Sequence, residues 1–134
     1  MTKNFQLNEF LESRFFSEEQ QKKVIADFEK NKKELLPKLQ KLANNLQVLR
    51  DALNTSVSIN IAYRPQWYEL LKGRSGNSRH CKCEAADINA DGYTPLQVHS
   101  KIEELIKSGK MDQGGLGKYS SFTHYDIRGV KARW

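Results

Sequence analysis

At 134 residues the chain suits one domain, long enough for a real core and too short for two. Hydrophobic residues at 38% and charged residues at 28% are ordinary for a soluble globular chain, and the mean hydropathy of −0.72 marks a strongly polar surface. No apolar run approaches the roughly 18 residues a membrane span needs, and the opening MTKNFQLNEFLESRFF lacks the apolar core and cleavage site of a signal peptide. Synthesis in the cytoplasm without a signal peptide is therefore expected. The net charge of +6 would suit nucleic acid, an anionic membrane surface or an anionic polymer. Its lysines, however, are scattered: Lys22, Lys23, Lys30, Lys32, Lys33 and Lys38 alternate with acidic residues on helical stretches. That is the pattern of a solvated helix surface, so no nucleic acid partner is expected.

In chain order, Leu7 to Leu11 suggests a short helix. Ser17, followed by Glu18 to Gln20, has the form of a helix start leading into Val24, Ile25 and Phe28. Leu39, Leu42, Leu46, Leu49 and Leu53 recur at spacings of three and four, the stripe of a core-facing helix. The stripe is little longer than two heptads, too short for a dimerising coiled coil, and a monomer is expected. Pro37 fits the first turn of that helix. Ser56 to Ala62 alternates, with Val57, Ile59 and Ile61 on one face, and reads as a half-buried strand whose polar face continues to Arg64.

Pro65 to Leu71 reads as a short helix and the glycine-rich stretch from Lys72 to Ser78 as a polar loop without phosphate-loop spacing. Ala85 to Ile88 is a short strand. Thr94 and Pro95 start a helix that turns Leu96, Ile102, Leu105 and Ile106 inward and ends at Gly109, with His99 exposed or half-buried on it. Gly114 to Gly117 reads as a turn into Tyr119, and Phe122 to Ile127 as the last strand. Helices first and short strands after give an α+β fold: residues 1–55 mainly helical, residues 56–134 a small antiparallel sheet. Cys81 and Cys83, one residue apart, suit neither a disulfide nor a thiolate zinc site and read as small buried or half-buried thiols.

Three short stretches carry the chemistry: Ser78-Arg79-His80, Ala85-Ala86-Asp87 and Thr123-His124-Tyr125-Asp126. Together they supply two imidazoles and a carboxylate, a three-ligand set that leaves zinc a fourth position for water. Strand alternation turns His124 and Asp126 to the same side.

These residues resemble a known family. Ser78-x-His80-x-x-Cys83-x-Ala85-x-Asp87 is similar to the S-x-H-x-x-G-x-A-x-D signature of the zinc D-Ala-D-Ala carboxypeptidase and L-Ala-D-Glu endopeptidase family, cell-wall peptidases that share the Hedgehog domain fold. Ile61-Ala62-Tyr63-Arg64 resembles the family's S-G-Y-R segment. Gly115 to Gly129, through Tyr119, Phe122, His124, Asp126 and Arg128, with Arg133-Trp134, resembles its C-terminal block. The resemblance implies one Zn2+ per chain on His80, Asp87 and His124. It implies Asp126 as general base, or as acceptor for a ligand histidine's free nitrogen, and Arg64 as anchor for a substrate carbonyl or carboxylate. Ser78 and Tyr63 are implied as substrate-positioning residues.

The chain departs from the family pattern at three positions. Ser121 stands where many members carry a Glu or His base, Cys83 stands at the usual glycine of the signature, and Ala62 precedes Tyr63 in place of glycine. A positive φ at either glycine position would oblige the backbone to differ here. The expected function is zinc-dependent hydrolysis of a peptidoglycan stem-peptide bond, at the cell wall after phage-type release or in a virion. The alternative is a non-catalytic, zinc-stabilised relative that binds wall or protein.

Overall fold

The structure is a computed structural model that describes every residue, Met1–Trp134. Three helices open the chain: α1 (Leu7–Leu11), α2 (Glu18–Lys30) and α3 (Lys32–Leu53). The α2 start is a reciprocal cap, in which Ser17 Oγ accepts the Gln20 amide at 3.1 Å and Gln20 Oε1 accepts the Ser17 amide at 2.9 Å. All five leucines of the α3 stripe are buried, against Val24 and Phe28 of α2. Pro37 lies inside α3 rather than in its first turn, because α3 begins at Lys32. Its ring removes the N–H that would bond the Lys33 carbonyl, and packing of the leucine face carries the helix past that gap.

Strand β1 (Val57–Ile61) follows, then α4 (Gln66–Leu71), a 3₁₀ turn at Arg79–Lys82, β2 (Ala85–Ala90) and α5 (Pro95–Lys107). Strands β3 (Gly115–Lys118), β4 (Thr123–Asp126) and β5 (Ala132–Arg133) close the chain. The sheet order is β1-β2-β4-β3-β5. Four of these strands pair antiparallel as expected, but β5 lies parallel to β3. The chain reverses after β4 and docks beyond β3, which already runs opposite to β4, so the added strand must run with β3 and the sheet is mixed.

The alternation in β1 is interrupted by a bulge. Ile59 pairs with Ile88 and Ile61 with Asp87, leaving Asn60 as the extra residue. Asn60 is held by Ser13, whose Oγ donates to its carbonyl at 2.7 Å, and its side chain bonds Asn89 at 2.7 Å. The bulge sets Ile61 opposite the future ligand Asp87.

Helix α5 caps as read, through Thr94 and Gln97. It buries Val98, His99, Ile102 and Leu105. Leu96, expected inward, is 61% exposed, because it lies on the helix face opposite Val98, Ile102 and Leu105; His99, expected exposed or half-buried, is buried. Gly115 and Gly117 lie in strand β3, with Gly114 just before it, instead of forming a turn. Phe122 to Ile127 is not the last strand, since β5 follows. One cluster of 29 buried residues runs from Phe5 to Ile127 and joins helices to sheet.

Cys83 keeps the left-handed backbone that glycine favours, with φ of 57°, while Ala62 does not. The expected backbone change at Cys83 is therefore absent. The 3₁₀ turn ends there, and the Glu84 amide returns to the Arg79 carbonyl at 3.1 Å, which demands that conformation. The Cys83 thiol is fully buried, and burial pushes its pKa above the ordinary thiol range.

Because Pro37 is exposed and α3 continues through it, Pro37→Ala restores a helix hydrogen bond without removing core packing. The expected result is a gain of about 1–2 kcal/mol in chemical denaturation, the helix-interior penalty partly offset by the freer unfolded chain. Equal or lower stability would mean that the proline shapes α3 in a way the fold requires.

Candidate metal centre

Three elements meet at the centre of the sheet. His80 comes from the 3₁₀ turn, Asp87 from β2 and His124 from β4, where Asp87 and His124 are direct cross-strand partners. One ligand atom from each lies within 4.8 Å of the others, a group that could hold a metal ion. His80 Nε2 is 3.3 Å and His124 Nδ1 3.0 Å from Asp87 Oδ1. Ligands at zinc distances of about 2.1 Å on a tetrahedron stand about 3.4 Å apart. The donor set fits zinc in both spacing and chemistry.

The tautomers are fixed from behind. His80 Nδ1 lies 2.8 Å from the Ala62 carbonyl, which can only accept, so the proton sits on Nδ1 and the Nε2 lone pair faces Asp87. On the other ring, His124 Nε2 donates to Asp126 Oδ2 at 2.8 Å, which leaves Nδ1 to face Asp87. These tautomers are those of the neutral rings; a protonated ring donates to Asp87 through the same nitrogen, and such hydrogen bonds from His124 and His80 outweigh burial and hold the carboxyl well below its usual range. At His124 burial disfavours the charged ring, and the bonds to Asp126 and Asp87 overcome that and raise its pKa.

Asp126 is completely buried and engaged on both oxygens. Besides His124 it takes Arg128 in a two-pronged pair, Nε to Oδ1 at 2.9 Å and Nη2 to Oδ2 at 2.8 Å. The Gly115 amide adds a third partner at 2.8 Å. These donors outweigh burial and hold its pKa far below the carboxylate range. Asp126 thus sits on the edge of the His124 ring opposite Asp87 and lines no part of the cleft. Of the two roles the resemblance implies for Asp126, general base or acceptor for a ligand histidine's free nitrogen, the contact present is the one to His124 Nε2.

The glycines that read as a turn have their reason here. A Cβ on Gly115 would lie 2.2 Å from Asp126 Oδ2, and one on Gly117 would lie 2.6 Å from the Trp134 ring nitrogen. Trp134 packs on His124 with ring centroids 4.9 Å apart, while Arg128 stands over its other neighbourhood at 5.3 Å. Its Nε1 donates to the Tyr119 hydroxyl at 2.8 Å. Trp134 and Arg128 were recognised in sequence only as parts of a block, without a role.

The cleft above the cluster has two adjoining recesses, of about 500 and 570 Å³, which share Arg64, Arg74, Asp87 and Phe122. Arg64 lines both. Its Nε donates to Glu69 Oε2 at 2.7 Å, and its Nη atoms make no hydrogen bond to the protein. Ser78 lines the metal-side recess, with its hydroxyl donating to Glu69. Tyr63 does not reach the cleft: its hydroxyl donates to Asp27 and its ring packs on Phe28 within the core. Tyr63, implied by the resemblance as a substrate-positioning residue, is thus buried and lines neither recess.

Glu69 is the residue that sequence reasoning missed. It is 1% exposed, and burial would raise its pKa, but donors from Ser78, Cys81 and Arg64 hold it down at about 2. No local pattern marks it, since its partners come from the end of β1 and from the 3₁₀ turn, five to twelve residues away. The Cys81 thiol in turn is pushed up to about 12, by burial first and by Glu69 second. It is not a reactive thiolate.

The sequence model of the family described as Peptidase M15 matches residues 4–126. The chain belongs to the peptidase M15 family. M15 peptidases are zinc-dependent, and the His80, Asp87 and His124 cluster of this chain could bind that metal. No curated protein and no solved structure matches the chain.

Two predictions follow from these contacts. Asp126→Asn keeps the shape but loses the charge that draws Arg128 and orients His124, so zinc affinity should fall about 10–100-fold. Competition against a chromophoric chelator reads this, and unchanged affinity would remove Asp126 from that role. For Glu69, the folded pKa of about 2 lies below the ordinary 4.5, so its stabilisation is complete above about pH 4.5 and fades as pH falls toward 2. Between pH 6 and pH 3 the chain should lose about 2 kcal/mol that Glu69→Gln does not lose. Parallel urea titrations of both proteins at the two pH values test it.

Proposed function

We propose that this M15 zinc peptidase cuts a stem-peptide bond of bacterial peptidoglycan. The observation that carries the reading is the donor cluster on the cleft floor, with the unpartnered end of the Arg64 guanidinium beside it. Zinc, when bound, supplies a Lewis acid that polarises a peptide carbonyl and brings the pKa of a water near neutrality.

The remaining tasks fall to the chain's own side chains. Arg64, held at Nε by Glu69, offers its Nη donors to the scissile carbonyl oxygen as negative charge develops there. Ser78 shares the same Glu69 anchor and lines the recess, where it positions the bound peptide. Asp126 acts through His124, holding the proton of the neutral ring on Nε2 so that Nδ1 is the nitrogen aimed at the metal. The stacked Tyr119 and Phe122 rings, 4.4 Å apart, with Trp134 make an apolar rim that limits water entry. The protein works as a monomer on the wall, reached after phage-type release or from a virion. No helix is long and apolar enough to cross a membrane.

A second reading has one observation in its favour. Asp87 is the one carboxylate lining the cleft, and Ser121 occupies the position where many members carry a base. On that reading the chain keeps zinc and holds cell wall or a protein without cutting.

The two readings separate in one experiment. Zinc-loaded protein incubated with purified peptidoglycan should release new amino groups, and His124→Ala should lose both metal and release. Arg64→Gln should keep full zinc stoichiometry while kcat/KM falls about 10²–10³-fold, the effect of losing one oxyanion donor. Zinc binding and wall sedimentation without any released amine would establish the binding reading instead.

A further inference from the structure

The cations around the cleft divide into two kinds. On the metal side three arginines are backed by a carboxylate, Arg64 by Glu69, Arg79 by Glu84 at 3.3 Å and Arg128 by Asp126, while Arg74, shared with the adjoining recess, is not. In the adjoining recess Arg14, Lys72 and Arg74 have no acidic partner. Arg14 and Lys72 are nevertheless held in place, by neutral groups. The Arg14 guanidinium lies 4.6 Å over the Phe15 ring and donates to Asn60 Oδ1 at 3.2 Å. The Lys72 ammonium stands 5.4 Å over the Tyr68 ring. Ring faces and amides orient a cation without cancelling its charge.

We propose that this recess is a second, anionic subsite, in which Arg14, Lys72 and Arg74 take a side-chain or terminal carboxylate of a peptide lying across the metal centre. Uncompensated cations in a concave, partly apolar recess concentrate the field on whatever enters. Arg74 and Arg64 line both recesses, so an acidic residue a short distance along the chain from the scissile bond reaches the second one. The positive surface does not continue as a track. Beyond Arg14 and Asn60 the next groove is lined by Glu9 and Glu12. A polyphosphate backbone following the cations would run into those carboxylates, whereas a peptide with one or two acidic groups ends before them.

The proposal rests on the peptidase reading of the adjoining centre, but its test reads binding alone. The probe is the blocked peptide acetyl-Glu-Glu-Glu-amide against acetyl-Gln-Gln-Gln-amide, titrated into the zinc-loaded full chain by calorimetry. The glutamate peptide should bind at least ten-fold more tightly, with the preference shrinking as salt rises. Lys72→Gln and Arg74→Gln should each cut its affinity several-fold and leave zinc content unchanged; both side chains are exposed, so the fold is not at risk. Arg14→Gln is the third arm. Equal binding of the two peptides overturns the proposal. A glutamate preference that survives all three substitutions overturns it too, since the carboxylates would then be on the metal. Tighter binding of a single-stranded oligonucleotide, lost in the same variants, overturns it in favour of a phosphate-binding cleft. Loss of peptidase activity in an otherwise binding-competent protein bears on the function proposed above and leaves the subsite intact.

Discussion

The buried carboxylate of Asp126 organises this end of the molecule, through a charge that must be matched from several directions at once. An ion removed from water survives only when donors surround it, and here they come from β3 (Gly115), from β4 (His124) and from the turn after β4 (Arg128). Satisfying one side chain therefore fixes the approach of β3 to β4, the tautomer of His124 and the path of the chain after the sheet. The absence of a side chain at Gly115 is a consequence of the same demand, because a Cβ there would occupy the carboxylate's own position. Trp134, laid on His124 and permitted by Gly117, extends the constraint to β5. Metal geometry and sheet topology are thus one problem with one solution.

Glu69 plays the corresponding part on the opposite wall. It ties α4 to the loop and 3₁₀ turn through Ser78 and Cys81, and to the strand end through Arg64. The fold thereby surrounds the His80, Asp87 and His124 cluster with two buried carboxylates: Asp126 bonds the far edge of His124, and Glu69 reaches the cleft only through Arg64 and Ser78. Each holds a residue that faces the cleft, His124 in one case and Arg64 in the other. Such indirect support keeps catalytic or binding groups within tenths of an ångström of a working geometry, which exposed loops alone cannot do.

What was legible in the sequence follows from the range of the interactions involved. Ser17 with Gln20 and Thr94 with Gln97 act over three residues, so their helix starts could be read directly, and the leucine stripe of α3 needs only a periodicity. His80, Asp87 and His124 were legible as a motif. Gly114 to Gly117 was misread because glycine's local tendency toward turns is the same whether it serves a turn or, as here, makes room for Asp126 and Trp134. Glu69 was invisible for the related reason that its partners lie five to twelve residues away on other elements. Tyr63 was set toward the substrate by resemblance alone, although the alternation that puts Val57, Ile59 and Ile61 on the core already favours the buried place it takes.

The contrast between paired and unpaired cations argues that the two recesses do different work. An arginine backed by a carboxylate is rigid and partly neutralised, well suited to directing donors at an oxygen whose charge grows only during reaction. A cation held by an aromatic face or an amide keeps its full charge before anything binds, well suited to attracting a ligand that is already an anion. Arg64 belongs to the first kind and Lys72 and Arg14 to the second, and Arg74 at the junction faces both recesses. On the proposed reading, recognition and chemistry are separated along one cleft. Affinity can be set in the outer recess by exposed, replaceable side chains, while the buried carboxylates that hold the metal side remain untouched.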